Sequence, residues 1–479
     1  MRLKSSFPPT CLTALASVGL LLVVAGCGGG VEQAQPRSSV PSITGGYGYG
    51  GSVSAQQVKP SAQVQVTEAD FLGHRALKMT NGLVTVVAVP DLGGRIMRYD
   101  LGPKPFLWVN TAEVQSAPSA GPKATPPAAA PGGKRVWHNY GGYKVWPAPQ
   151  SRWHGPPDPS GSQLDGGHWV GRIVKPRGDV GEIELVSPAD KTVTGLQITR
   201  RVTLRVGSTE LTVTETFKNV GARPVEWSIW DVTQVPGELS PGEGPTEDAR
   251  VYIPLNPSSS FDGGFKELLA GGSGQWRRLD DGLLQVSYAG KLGKIGADST
   301  AGWIAYSDAR DDWAFVKRFD VTPGATYPDG GCTVEVFTSG ELHYLEVEVL
   351  GPLTRLAPGK QTSFTEHWYA ARVGAPIRQV TDGAVIAQPL TLQKKKGKLH
   401  LVGSVGVFQP GKLDILLLDQ GGKPVGTPIS IAASPVEKLA LDRELSAPAE
   451  AAAVKVKLTA GQSSWQLARL PLEAYTAAE

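Results

Sequence analysis

Residues 199–217, TRRVTLRVGSTELTVTETF, alternate apolar and polar side chains on both sides of Gly207. A period of two predicts β-strands, because successive side chains of a strand point to opposite faces. Short β-branched runs that end at Gly, Asn, Asp or Pro are typical of antiparallel strands with one solvated face. The stretch therefore predicts an antiparallel, all-β fold.

Similar runs recur along the chain, with no alternation of strands and helices between them. They lie at Gly82–Pro90, Arg95–Leu101, Val225–Val232, Trp303–Tyr306 and Glu341–Leu350. The chain also has 59 Gly and 38 Pro among 479 residues, about a fifth of all positions, which argues against long helices. We predict a large all-β sandwich. A net charge of only +3, spread along the chain, argues against nucleic-acid binding.

The N-terminal 27 residues have the pattern of a secretory signal. Arg2 and Lys4 precede an apolar run, Leu12–Val24, that is too short to span a bilayer, and small residues lead to Cys27. The segment resembles the lipobox of bacterial lipoproteins, which implies acylation of Cys27 and attachment of the protein to a membrane of the cell envelope, facing outside the cytoplasm. An ordinary cleaved signal peptide is the alternative.

Composition divides the remaining chain into a tether and two folded regions. Residues 28–60 are rich in Gly, Ser and Pro, and predict a flexible tether. Residues 61–375 form the predicted large sandwich, interrupted by a low-complexity insertion at 116–133. Residues 376–479 contain further strand-like runs and predict a small C-terminal β-sandwich.

Aromatic residues concentrate in Val136–Arg172, a segment rich in Gly and Pro. It holds four Trp (137, 146, 153 and 169), two Tyr (140 and 143) and three His (138, 154 and 168). Such a segment favours loops, on which binding residues concentrate. A Trp ring suits the apolar C–H face of a sugar, while nearby polar groups suit its hydroxyls. We therefore expect a sugar or oligosaccharide partner; burial of these Trp in the core is the alternative.

Several motifs resemble the galactose mutarotase-like (aldose 1-epimerase) superfamily. They are Gly93-Gly94-Arg95-Ile96, the late strand with Glu335, and LAPG (356–359) before EHW (366–368). Three stretches are most similar to the DUF4380 branch of that superfamily: GGYKVWPAPQ (141–150), SIWDVTQ (228–234) and YPDGGCTVEV (327–336). The resemblance covers about residues 64–372 and implies a large antiparallel β-supersandwich.

The resemblance also implies catalytic roles. Glu335 matches the general base that acts on the anomeric hydroxyl of a sugar. From the sequence itself, Lys317 is its expected partner, because both residues lie in strand-like runs that flank the same loop. The position of the usual acid, a His, holds Trp230 in this chain, and an indole cannot protonate a ring oxygen. His154, His168 or a protonated Asp231 are the candidate substitutes.

The preferred hypothesis is thus an anchored carbohydrate-binding protein, and the alternative is a sugar epimerase with Glu335 as base and a non-standard acid. A structural envelope protein that has lost its cleft is a third reading. No motif for a metal or another cofactor is present, so we expect none. The expected binding residues are Arg95, Asn139, Lys144, Trp146, Gln150, Trp153, Asp158, Trp230 and Lys317.

Overall fold

The alternating runs form strands in the computed structural model, which describes residues 58–118, 138–152, 164–271 and 274–472. The run at Glu210–Phe217 is one example: its apolar residues are buried, its threonines are partly exposed, and it pairs with the preceding strand in the register Val202 to Val213. The strands, in chain order, are β1 Val64–Phe71, β2 His74–Thr80, β3 Val84–Val89, β4 Arg95–Leu101, β5 Lys104–Pro105, β6 Tyr143–Ala148, β7 Val170–Lys175, β8 Arg177–Gly178, β9 Val180–Val186, β10 Leu196–Arg205, β11 Leu211–Asn219, β12 Val225–Pro236, β13 Ala249–Pro254, β14 Lys266–Leu269, β15 Trp276–Arg278, β16 Leu283–Ser287, β17 Gly293–Ala297, β18 Trp303–Asp308, β19 Trp313–Phe319, β20 Val334–Thr338, β21 Tyr344–Leu350, β22 Thr354–Leu356, β23 Gln361–Arg372, β24 Gln379–Val380, β25 Ala384–Lys395, β26 Lys398–Val407, β27 Gly411–Leu418, β28 Pro424–Ala433, β29 Leu439–Leu445, β30 Ala453–Ala460 and β31 Ser463–Pro471.

Two large antiparallel sheets form the first part of the described chain. The thirteen-stranded sheet has the order β14-β17-β20-β21-β12-β6-β4-β3-β2-β1-β8, with β22 beside β12 and β5 beside β4. The ten-stranded sheet has the order β15-β16-β13-β18-β19-β23-β11-β10-β9-β7. One apolar cluster contains residues of both sheets, such as Val145 of the first and Val213 of the second. The two sheets therefore pack as a sandwich, and the predicted all-β class is confirmed.

Helical structure is short throughout the described ranges. The α-helix there, α1 (Thr111–Ser116), begins after Asn110, whose side chain accepts a hydrogen bond from the backbone N–H of Glu113. Single 3-10 turns lie at Gln150–Arg152 and Asp262–Gly264. No helix within the described part of the chain has the length and apolar character needed to cross a membrane.

The last strands build a smaller sandwich. Its two four-stranded sheets have the orders β24-β25-β26-β29 and β28-β27-β30-β31, and an apolar cluster of their own lies between them. A further apolar cluster joins this sandwich to the ten-stranded sheet, where the rings of Tyr369 and Phe408 stack with centroids 4.4 Å apart. All described residues belong to one compact unit.

Candidate functional site

Strand β12 separates two polar clusters, because its side chains point alternately to opposite faces of the thirteen-stranded sheet. Trp230 and Gln234 bond to glutamates of β21 on one face. Asp231 and Thr233 bond to Lys317, which comes from the facing ten-stranded sheet, so they lie in the interior of the sandwich. The face that bears Trp230 is called the outer face below.

A lysine links two opposed glutamates on the outer face. Glu335 of β20 and Glu348 of β21 are directly opposite in the ladder. Lys294 Nζ, from β17, lies 2.6 Å from Glu335 Oε2 and 2.9 Å from Glu348 Oε2. The indole N–H of Trp230 donates to Glu348 Oε2 at 2.7 Å. These four residues form what we call the lysine–glutamate cluster.

The carboxyl groups of this cluster are buried and only partly satisfied. Burial raises the pKa of both Glu335 and Glu348, although the Lys294 charge opposes the shift. Within the described residues, Oε1 of each glutamate has no hydrogen-bond partner. Two carboxyl oxygens therefore receive no hydrogen bond from the other described groups, which is costly in a buried site unless a ligand, or a proton shared between the two carboxyl groups, supplies one.

A second group of contacts surrounds Asp165 on the same face. Its Oδ1 accepts hydrogen bonds from Arg95 at 2.7 Å and from the indole N–H of Trp146 at 2.8 Å. Arg95 also donates to the carbonyl of Gly141 at 3.1 Å, and its guanidinium lies 5.7 Å from the ring centroid of Tyr140. Asp165 thus orients both a cation and an indole that the sequence predicted as binding residues.

The indoles of Trp146 and Trp230 lie between these two groups of contacts, and a lysine ammonium lies over each ring. Lys144 Nζ is 3.8 Å from the ring centroid of Trp146, and Lys294 Nζ is 4.4 Å from that of Trp230. The two indoles meet edge to face at 5.5 Å, and each is only 4% exposed. The prediction that Trp146 offers a free face for stacking on a sugar is corrected by this arrangement. Burial also lowers the pKa of Lys144.

Glu346 links Gln234 and Lys144 on the outer face. Its Oε1 accepts a hydrogen bond from Gln234 at 2.8 Å and lies 3.8 Å from Lys144 Nζ. Glu346 and Lys294 keep 12% and 16% of their side-chain surfaces exposed, so solvent reaches the outer face at this edge. The face as a whole combines cations, carboxylates and an amide in a largely dry environment.

Asp231 and Lys317 lie in the interior of the sandwich. This placement differs from the predicted position of both residues in a sugar-binding cleft with Glu335. Lys317 Nζ bonds Asp231 and lies 2.9 Å from both Glu366 Oε2 and Thr233 Oγ1. Burial and the charge of Glu366 raise the pKa of Asp231, which Lys317 opposes. The predicted pairing of Lys317 with Glu335 is wrong, because Lys317 belongs to the facing sheet and Lys294 occupies that place.

The remaining predicted residues are distributed as follows. Asn139 is buried just before β6, and Gln150 is half-buried in the 3-10 turn after it. His168 Nδ1 lies 2.5 Å from Asp91 Oδ1, so this histidine already has a carboxylate partner. Other predicted positions lie outside the described residues: Cys27, Trp153, His154 and Asp158.

Four residues of the outer face were missed by the sequence analysis: Asp165, Lys294, Glu346 and Glu348. For the glutamates a signal was present, because YLEVEVL (344–350) places two carboxylates two residues apart on one face of an apolar strand. Lys294 lies in GKIGA (293–297), a run with two glycines that does not resemble a strand. In the described ranges, no group of three or more His, Cys, Asp or Glu side chains is arranged to hold a metal ion.

Comparison with solved structures finds similar proteins at low sequence identity. One is a TPR-domain containing protein from Parabacteroides distasonis (14% identity, 64% of this chain and 48% of that chain, TM-score 0.42), so this chain spans about half the length of that protein. Others are a galactose mutarotase-like protein from Clostridium acetobutylicum (12%, 65% and 99%, TM-score 0.41) and a putative aldose 1-epimerase from Escherichia coli K12 (13%, 64% and 99%, TM-score 0.37). No curated protein matches the chain.

A family comparison identifies the segment that carries much of the site. The model described as "Domain of unknown function (DUF4380)" matches residues 175–371, which include Trp230, Lys294, Glu335, Glu346 and Glu348. The resemblance to DUF4380 predicted from the sequence motifs is thereby confirmed for residues 175–371, which match this family model.

Proposed function

We propose that this protein binds a sugar on the outer face of the thirteen-stranded sheet, between the Arg95–Asp165 pair and the lysine–glutamate cluster. The observation that carries the proposal is the pair of buried carboxylate oxygens, Oε1 of Glu335 and of Glu348, that lack donors within the described part of the chain. Sugar hydroxyls are donors of the required kind and also accept hydrogen bonds from cations such as Lys294.

Sugar binding is tested with Glu348→Gln, which keeps the side-chain shape and removes the charge. Titration calorimetry with glucose, galactose and their short oligomers should detect binding by the wild type. We expect the variant to bind at least about tenfold more weakly, since hydrogen bonds to charged groups contribute about 1.5–3 kcal/mol. Glu444→Gln, in an exposed pair with Lys398 at 2.9 Å, is the matched control and should bind as the wild type does. Equal affinity of Glu348→Gln and wild type would contradict the proposed site.

A sugar epimerase is the second candidate, favoured by the opposition of two carboxyl groups with raised pKa. When one carboxyl of the Glu335–Glu348 pair holds a proton and the other does not, the pair contains both an acid and a base. The base would take the proton of the anomeric hydroxyl while the acid protonates the ring oxygen, so that the ring opens and can reclose as the other anomer. Anomer exchange of glucose and galactose, followed by NMR, should then exceed the uncatalysed rate and fall to it in Glu335→Gln. Exchange at the uncatalysed rate with wild type excludes this candidate and leaves binding.

We also propose that the protein is anchored to a membrane of the bacterial cell envelope through Cys27, outside the cytoplasm. The support is the lipobox-like sequence Val24-Ala25-Gly26-Cys27 after a short apolar run. Fractionation of cells should find the full-length protein with the membranes, and Cys27→Ala in the soluble fraction. A Cys27→Ala variant that still sediments with membranes, or a wild type without a bound acyl chain in mass spectrometry, would argue for a different anchor.

A further inference from the structure

A second cleft, of about 500 Å³, lies where the ten-stranded sheet meets the C-terminal sandwich. Arg318 of β19, together with His367 and Tyr369 of β23, forms one wall. Asp382, Gln409 and Trp465 of the C-terminal sandwich form the other. The cleft is lined by none of the residues of the outer face of the thirteen-stranded sheet, so it is a separate site.

Three planar polar side chains line this cleft: Arg318 and His367, each paired with a carboxylate, and the buried Gln409. Arg318 Nη1 lies 2.6 Å from Asp382 Oδ1 and so joins the two walls. His367 Nδ1 lies 2.9 Å from Glu210 Oε1, a contact that lowers the pKa of Glu210. Gln409 is only 6% exposed, and its amide nitrogen has no hydrogen-bond partner among the described residues. A buried amide donor without an acceptor points to a ligand that supplies one.

An indole completes the cleft. Trp465 is half-buried and packs closely on Gly383, where a Cβ atom would approach the indole Cγ to 2.9 Å. Gly383 thus gives the ring a flat support, and the ring in turn lines the cleft. An aromatic ring beside planar carboxylate, amide and guanidinium groups suits a pyranose, which has an apolar C–H face and hydroxyls around its rim.

The charged side chains that line the cleft favour an uncharged ligand. Three carboxylates, those of Glu210, Asp320 and Asp382, line it together with Arg318 and His367. The three carboxylates outnumber these two basic side chains, which disfavours an anionic ligand such as a phosphate or an acidic peptide. We propose that this cleft is a second carbohydrate site, which holds a neutral sugar residue of a glycan chain between the two sandwiches.

The test uses the full chain and neutral hexasaccharides of glucose and of N-acetylglucosamine as probes, with affinity and stoichiometry from titration calorimetry. Trp465→Ala removes the ring, and Asp382→Ala removes an acceptor whose side chain is 73% exposed, so the fold tolerates its loss. We expect Trp465→Ala to weaken one binding event at least tenfold, and Asp382→Ala to weaken the same event several-fold. Asp442→Ala is the matched control: it removes an exposed carboxylate of the C-terminal sandwich, paired with Lys395 and His400, and should change nothing.

The outcomes separate this site from the outer face. Loss of an event in Trp465→Ala and Asp382→Ala, with a second event lost only in Glu348→Gln, supports both sites. Binding that is lost in Glu348→Gln and unchanged in Trp465→Ala and Asp382→Ala overturns the second site and leaves the first. Binding lost only in Trp465→Ala and Asp382→Ala supports the second site and overturns the first. Failure of every probe to bind the wild type overturns both.

Discussion

Lys294 holds two buried carboxyl groups at once. Its burial lowers its pKa, but the charges of Glu335 and Glu348 outweigh that effect and raise the pKa above its usual value, so the ammonium stays charged. The glutamates are shifted toward the protonated form by burial, and Lys294 limits that shift. The protonation of Glu335 and Glu348 therefore depends on Lys294.

We predict that Lys294→Met lowers the free energy of unfolding by about 3–5 kcal/mol at pH 8, because it leaves buried carboxylates without their cation. The loss should be smaller at pH 5. A carboxyl whose folded pKa exceeds its unfolded value of about 4.3 gains protons on folding, so its contribution to stability falls as pH rises above that value. Without Lys294 the folded pKa rises further, and the fall becomes steeper. Urea unfolding of wild type and variant at both pH values measures this difference.

Lys395→Met is the matched control, because Lys395 pairs at 2.8 Å with the exposed Asp442. Solvent screens an exposed pair, so this variant should unfold almost as the wild type does at both pH values. An equal loss at pH 5 and pH 8 in Lys294→Met would mean that Lys294 does not control the protonation of Glu335 and Glu348.

Strand β6 enters the sheet through the turn Gly141-Gly142, just before Lys144 and Trp146. Gly142 has φ +70°, and a Cβ atom there would approach the carbonyl oxygen of Ile96 to 2.5 Å. Both the backbone conformation and the close approach require glycine at this position. The turn therefore fixes where β6 places its two outer-face residues.

Two glycines with the same backbone angle isolate the effect of the close approach. Gly207 has φ +69°, but nothing lies within 4 Å of a Cβ atom built there. Gly207→Ala should cost about 1–2 kcal/mol for the left-handed conformation alone. Gly142→Ala should cost about 1–3 kcal/mol more because it overpacks against Ile96, and it should also weaken sugar binding. Chemical unfolding of the two variants side by side gives the comparison; equal losses would show that β6 moves aside without cost.

The positions of the strands could be predicted from the sequence much better than the face of the sheet on which each candidate site residue lies. Arg95–Leu101 forms β4 as predicted, and the runs at Thr199–Val206 and Glu210–Phe217 form β10 and β11 with ends shifted by one to three residues. The sequence analysis placed Trp230 and Asp231 in one cleft, although neighbours on a strand point to opposite faces. The two residues are adjacent in the SIWDVTQ motif, but the sheet separates their side chains.

The order of the strands in the sheets explains why the partners of Lys294 and Lys317 could not be predicted from local sequence patterns. Lys294 meets Glu335 only because β17 lies beside β20, more than thirty positions later in the chain. Long-range strand pairing of this kind leaves no periodic signal in the sequence. Lys317 likewise could not be assigned to a sheet from its own run, so its expected partner was the wrong carboxylate.

The two sandwiches are joined by a junction of apolar contacts and backbone hydrogen bonds. Phe408 follows β26 of the C-terminal sandwich, and its ring stacks on Tyr369 of β23 with centroids 4.4 Å apart. The carbonyl of Phe408 accepts a hydrogen bond from the backbone N–H of Thr209 at 2.8 Å, and the backbone N–H of Arg372 donates to Pro435 at 2.7 Å. These contacts span the boundary predicted near residue 376, so the two sandwiches share buried apolar surface.

A shared apolar cluster predicts cooperative unfolding of the two sandwiches. In differential scanning calorimetry the wild type should unfold in a single transition whose calorimetric and van't Hoff enthalpies agree. Phe408→Ala removes the central ring, costs about 3–5 kcal/mol, and should divide the transition into two. Leu458→Ala is the control, because Leu458 is buried within the C-terminal cluster alone: it should lower the midpoint and keep one transition. Two transitions in the wild type would mean that the junction is too weak to couple the sandwiches.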